Sequence, residues 1–161
     1  MIVLCFYSVP FYSLKTELNI PISISEAWTF FSSPKNLSKI TPEQMGFIIT
    51  NEPADNMFQG QIITYKVSPL LGIKINWMTE ITTVKQNEYF IDEQRFGPYS
   101  LWHHRHHFYE IDGGVKMIDE VNYKLPFGFI GSIAHALFIK KKLKSIFDYR
   151  EKVLLEMFGK Y

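Results

Sequence analysis

The sequence predicts an α+β fold: a curved antiparallel sheet wrapped around a long C-terminal helix. Three features carry that reading. From Phe47 to Leu125 apolar residues recur with a period of two, broken by Gly-, Pro- and Asp-containing turn signals. From Gly131 to Phe158 there is no proline or internal glycine, and Ile139, Leu143, Ile146, Phe147, Leu154 and Phe158 fall at three-to-four spacing. One strand and two short helices precede both. An amphipathic helix laid on such a sheet leaves a concave face that side chains or a ligand must fill.

Taken in order, Leu14 to Ile20 alternates as a strand that Pro21 stops. Ser25 is the expected N-cap of a helix carrying Ala27, Trp28, Phe30 and Phe31 on one side, and Ser33-Pro34 ends it. Asn36 to Ile40 allows a turn or two of helix before Thr41-Pro42. The strands that follow are Phe47 to Asn51, Gln61 to Ser68, Ile73 to Lys85, Glu88 to Phe96, Ser100 to Ile111 and Val115 to Leu125. Parity puts Ile63, Tyr65 and Val67 on one face, and Ile73, Ile75, Trp77, Thr79 and Ile81 toward the interior. Pro126 to Gly131 is a loop bearing Phe127, Phe129 and Ile130. The final helix, at 1.5 Å per residue, spans roughly 40 Å. Residues 14–161 form one domain, and residues 1–13 are an arm of unassigned structure.

With 17 basic and 16 acidic residues in 161, the chain has no overall field to draw in nucleic acid or an anionic membrane. Lys140, Lys141, Lys142 and Lys144 read as a solvated helix face. The single cysteine, Cys5, cannot form an internal disulfide, so a reducing cytoplasm is the expected setting. The apolar start lacks a basic leader and a small-residue cleavage pattern, which argues against a signal peptide. No stretch approaches the ~20 apolar residues of a bilayer span, so stable membrane insertion is not expected. Aromatic residues make up 16% of the chain, enough for a dense core or a lined cavity.

Between Asp92 and Gly114 lie four of the five histidines. Strand parity splits them. His104 and His106 share a concave face with Trp102 and Phe108, whereas His103 and His107 go with Arg105 and Tyr109 to the solvent side. On neighbouring strands the same face receives Asp92 and Gln94, and Asp119 between Met117 and Val121. Three uses compete for Asp92, Gln94, His104, His106 and Asp119. They can satisfy one another and fix register, orient a ligand's hydroxyl or carbonyl, or act as acid and base, with a histidine exchanging the proton and Asp119 or Asp92 fixing its tautomer. His104 and His106 have chelating spacing, but with no second ligand motif neither metal nor cofactor is assigned. His135 reads as a packing or capping residue.

The element order, together with the stretches PKNLSKITP (34–42), FIDEQRFGPYSLWHHRHHF (90–108), GGVKMIDEVNYKLPFG (113–128) and IFDYR (146–150), resembles the helix-grip fold of the START / polyketide cyclase (SRPBCC, birch-pollen-allergen-like) superfamily. Within it the chain is similar to a bacterial ligand-binding subgroup related to the cell-division-inhibitor domain, which also occurs fused to sugar-epimerase-like domains. The resemblance covers Leu14 to Phe158 and implies a hydrophobic cavity between sheet and helix; ligands in the superfamily include lipids, sterols and polyketides. It implies no single reaction.

The resulting expectation is a binding or transport protein for a small hydrophobic or amphipathic molecule. Its cavity is lined by Trp28, Tyr65, Trp77, Trp102, Phe108, Met117 and Tyr123, with a mouth near Leu70, Leu71, Phe127, Phe129 and Ile130. A polyketide cyclase- or dehydratase-like enzyme using His104, His106 and Asp119 is the alternative. An interaction module without a ligand is the third reading.

Overall fold

The computed structural model describes residues 10–68 and 72–161. Cys5, most of the proposed arm, and Leu70 and Leu71 at the proposed mouth lie outside the described residues. Seven strands form one antiparallel sheet: β1 (Tyr12–Ile20), β2 (Ile48–Ile49), β3 (Ile62–Val67), β4 (Ile75–Lys85), β5 (Tyr89–Phe96), β6 (Leu101–Ile111) and β7 (Gly114–Lys124). Their order is β1-β7-β6-β5-β4-β3-β2, so the first strand crosses over to pair with the last. The helix α1 (Ile24–Phe31) and two short 3-10 turns, Pro34–Ile40 and Glu43–Met45, occupy the crossover.

β1 starts two residues before the expected boundary because Tyr12 and Ser13 pair with Tyr123 and Asn122. The cap of α1 is Ser23, not Ser25. Ser23 is extended, its hydroxyl accepts from the Glu26 N–H at 3.2 Å, and the Glu26 carboxylate accepts from the Ser23 N–H at 2.9 Å. This reciprocal box satisfies two orphan donors at once, which Ser25 has no partner to do.

Parity predicts the inner face of β7 well: Val115, Met117, Asp119, Val121 and Tyr123 are all buried. On β4 it holds through Trp77, Thr79 and Ile81, which are buried, and on β5 from Phe90 to Gln94; beyond these points Thr82 and Arg95 are extra residues without cross-strand partners. Each extra residue offsets the alternation by one. Phe96, expected inside with Phe90 and Asp92, therefore pairs with Met78 and is exposed. Ile73 falls outside β4 and is also exposed.

The long helix begins earlier than its breaker-free run. It comprises α2 (Gly128–Ala134), a π-helical stretch (His135–Ile139) and α3 (Lys140–Phe158) in direct succession. Phe127 takes the left-handed conformation that starts it, at φ 65°, a costly choice for a bulky residue. A side chain at Gly131 would run into the Pro126 carbonyl, so only glycine allows the chain to turn this tightly. α3 settles on the concave face through Leu143, Phe147 and Leu154. Leu154, 1% exposed, packs in one cluster with Ile20, Ala27 and Val115.

We expect Leu154→Ala to lower the unfolding free energy by about 2–5 kcal/mol, the range for truncating a buried leucine. Glu151→Ala, one turn away on the exposed side, should change it by under about 0.5 kcal/mol. Urea denaturation followed by circular dichroism measures both.

Candidate functional site

β5, β6 and β7 are consecutive in the sheet, with His104 opposite Asp92 and His106 opposite Asp119. All four side chains point to the concave side. Each imidazole turns Nδ1 to the carboxylate directly across and Nε2 to the diagonal one. His104 Nδ1 lies 3.3 Å from Asp92 Oδ2, and Nε2 lies 3.2 Å from Asp119 Oδ1. His106 Nδ1 lies 2.7 Å from Asp119 Oδ1, and Nε2 lies 3.0 Å from Asp92 Oδ2. The result is a closed ring in which one oxygen of each carboxylate serves two imidazoles. The Nε2 contacts are well-aimed hydrogen bonds. His106 Nδ1, although closest in distance, is off axis and makes no directed bond. The two rings themselves lie 3.8 Å apart between centroids.

His104, His106 and Asp119 are buried, so charge here interacts strongly and must be balanced. Burial alone favours uncharged forms, but the partners outweigh it. His104 is pushed above its ordinary value by Asp92 and Asp119. The two histidines hold the Asp92 and Asp119 carboxyls well below the usual range.

A fifth ionisable group completes the site. Arg150 of α3, its side chain 11% exposed, places Nη1 3.7 Å from Asp119 Oδ2 and stacks its guanidinium 4.9 Å from the Phe147 ring centroid. Its Nε is buried without a hydrogen-bond partner. With Arg150 counted, the ring is neutral when it holds three of four possible imidazole protons and carries one positive charge when it holds all four. The proton that separates these states belongs to the ring as a whole. Asp92 Oδ1 is the one carboxylate oxygen of the ring with no protein partner among the described residues.

The site opens on a cavity of about 170 Å³ between sheet, α3 and the crossover turns. Asp92, His104, His106 and Arg150 reach its wall, and Asp119 stands behind them. The rest of the lining is mostly apolar or aromatic, including Tyr65, Trp77 and Trp102 from the expected set, with Ser33, Asn36, Thr41 and Thr79 as its other polar members. Thr79 bridges two of these: its hydroxyl accepts from Trp77 Nε1 at 3.1 Å and lies 2.9 Å from the Tyr65 hydroxyl. Burial pushes the Tyr65 and Tyr99 phenols up, so both stay neutral. A cavity of this size takes one ring-sized molecule, as an apolar void of about 150 Å³ takes benzene.

Other expected residues sit elsewhere. Trp28 stacks edge-on against Phe90 and Phe108 under α1, and Phe108 and Met117 are packed in the same core cluster. Tyr123 packs with Val121, Leu143 and Phe147, and its hydroxyl lies 2.8 Å from His135 Nε2. Gln94 uses both ends of its amide on Tyr99: Nε2 donates to the Tyr99 carbonyl at 2.6 Å and Oε1 accepts from its N–H at 3.2 Å. That clamp holds Tyr99 in the cavity wall. Phe127 and Ile130 are exposed, because the helix starts at Gly128 and turns them away from the sheet. Arg150 is the site residue that sequence reading missed. Its signal is a cation at three-to-four spacing from Phe147 and Leu154, on the apolar face of the helix.

Asp92, His104 and His106 bring three potential ligand atoms within 4.8 Å of one another, enough to hold a divalent metal if the histidines lose their protons. The Arg150 guanidinium at Asp119 and the raised proton affinity of His104 both oppose a cation there.

This architecture is the helix-grip fold. No protein-family profile matches the sequence, and no curated protein does. Solved structures do. A truncated norcoclaurine synthase from Thalictrum flavum superposes with TM-score 0.65 at 18% identity, covering 92% of this chain and 96% of that one. The ginseng major latex-like protein 151 from Panax ginseng gives 0.63 at 9% identity, covering 92% and 97%. Protein Ms6760 from Mycobacterium smegmatis gives 0.63 at 15%, covering 90% and 92%. At these identities the likeness is one of fold.

The ring makes a pH prediction. A histidine raised on folding stabilises fully below its unfolded value of 6.5, and that contribution is lost as pH rises through its folded value. Carboxylates lowered on folding stabilise above 3.8, and their contribution is lost as pH falls. We therefore expect the ring's contribution to the melting temperature to be greatest between these values and to decline on both sides. Asp119→Asn should flatten the profile, as scanning calorimetry across pH can show.

Proposed function

We propose that the chain is an acid–base catalyst acting on a small, largely apolar carbonyl compound, with enolisation, aldol-type cyclisation or dehydration as the reaction class. The observation that carries this reading is Asp92 Oδ1, without a protein partner among the described residues, on a ring of two carboxylates and two imidazoles that reaches the cavity wall. All four imidazole nitrogens face carboxylates, so Asp92 is the port through which the ring meets a substrate. As a base, Asp92 Oδ1 takes the proton from the carbon next to the carbonyl, and the electron pair moves onto the carbonyl oxygen. As an acid, it returns that proton to carbon, or to a departing hydroxyl that leaves as water. A proton given up is replaced from His106 Nε2 across 3.0 Å. Asp119, held between both histidines and Arg150, positions the ring, and the apolar lining excludes water from the developing enolate.

The cavity supports this reading over a carrier for a sterol or long acyl chain, which needs several times the volume. The norcoclaurine synthase likeness is consistent with catalysis on this fold and adds no residue role. We further propose membership of the SRPBCC superfamily. The finer placement in the bacterial subgroup rests on the stretches quoted above, and a reducing cytoplasm on cysteine usage. Among the described residues no helix is long and apolar enough to cross a membrane.

Deuterium uptake from D2O into a panel of small cyclic ketones and β-hydroxy ketones, followed by NMR, tests the proposal. Wild-type protein should accelerate exchange for at least one compound, and Asp92→Asn should slow it by about 10²–10⁴-fold, the span of general acid–base contributions, while remaining folded. Equal exchange by the variant overturns the role of Asp92. No exchange across the panel, with an apolar passenger retained in native mass spectrometry, returns the protein to the carrier reading.

A further inference from the structure

At one end of the molecule the start of the long helix carries an apolar surface with no partner among the described residues. Phe127, Phe129 and Ile130 are 80%, 76% and 67% exposed. Ile133, Leu137 and Phe138 continue the patch, all exposed. Ile130, Ile133 and Leu137 repeat at three-to-four spacing, so they form one stripe, with Phe129 and Phe138 flanking it. Large apolar side chains rarely cluster on a soluble surface without an occupant.

The charge around the stripe indicates what that occupant is. Lys140, Lys141 and Lys144 follow Leu137 and Phe138 within about two turns, and all three are exposed. Between Glu120 and Asp148 the chain carries five lysines, at 124, 140, 141, 142 and 144, and no acidic residue. The whole chain is nearly balanced, so this segment is a local positive field. Lys144 pairs with Asp148 at 2.7 Å; Lys140, Lys141 and Lys142 make no ion pair among the described residues. An apolar stripe continuing into unpaired lysines is complementary to a surface that is apolar inside and anionic at its edge, the arrangement of a bilayer interface. An uncharged protein groove matches the apolar half alone, and a nucleic acid the cationic half alone.

We propose that Phe127 to Lys144 is an interfacial docking surface for membranes rich in anionic lipid, with the Phe129, Ile130, Ile133 and Leu137 side chains entering the headgroup region and the lysines paired to lipid phosphates. The surface is distinct from the cavity ring and goes beyond the catalytic reading. Docking of this kind lays the helix on the membrane and requires no spanning segment.

Co-sedimentation of the full chain with phosphatidylcholine–phosphatidylglycerol vesicles, against vesicles of phosphatidylcholine alone, tests it. We expect binding to the anionic vesicles that weakens with added salt. Lys140→Gln/Lys141→Gln should reduce partitioning about 30-fold, at roughly one tenfold step per 1.4 kcal/mol and about 1 kcal/mol per lysine. Phe129→Ser/Ile130→Ser should abolish it even at low salt. All four residues are exposed, and an unchanged melting temperature confirms that the variants fold. Equal binding to both vesicle types, or to neither, overturns the proposal. So does a dimer in sedimentation velocity that Phe129→Ser/Ile130→Ser dissociates, which assigns the face to a second copy. Retention on duplex DNA without vesicle binding overturns it in favour of nucleic acid.

Discussion

The rest of this structure is arranged around a balance of charge in a dry place. Two carboxylates and two imidazoles are removed from water in the centre of the sheet, and none of them could stay there alone. Their mutual contacts fix the register of β5, β6 and β7, since a slip of one residue would carry each charge to the opposite face. They also set where α3 must lie, because Arg150 reaches Asp119 only from that seat. Sheet pairing and helix docking are thus coupled through a single carboxylate.

That coupling bears on how the cavity is kept. Space between a sheet and a helix is normally closed by side-chain packing. Here Tyr65, Trp77, Tyr99 and Trp102 wall it with rigid rings, held by the Thr79 hydroxyl and the Gln94 clamp. Stiff aromatic side chains with one tethered polar end cannot readily collapse inward. The void is therefore built by the same residues that line it, and its modest volume limits what can share it with the ionised ring.

Much of this was legible in the sequence, for identifiable reasons. Period-two alternation on β6 and β7 is undisturbed, so parity correctly brought together His104, His106 and Asp119 from residues 13 to 15 positions apart. Asp92 followed because it precedes the irregularity in β5. Phe96 did not, because the extra residue at Arg95 leaves no compositional trace. Gln94 was placed with the ring by parity, yet its amide is taken by a backbone three-dimensional turn that alternation does not describe. The early start of the helix was hidden by Gly128 and Gly131, which read as loop signals although one supplies a left-handed backbone and the other a close approach. Arg150 was concealed by expectation: an arginine in a charged helix reads as solvated until the face it occupies is known.

The π-helical stretch from His135 to Ile139 separates the long helix into two segments that need not share a phase. A wider turn inserts residues relative to the regular repeat, and each inserted residue rotates everything beyond it by about 100°. Upstream, Leu137 and its neighbours look outward; downstream, Leu143 and Phe147 look into the sheet. His135, stacked on Tyr12 at 3.5 Å, pins the joint. One continuous rod thus carries oily side chains toward the interior along Leu143, Phe147 and Leu154 and toward the surroundings at Ile133, Leu137 and Phe138.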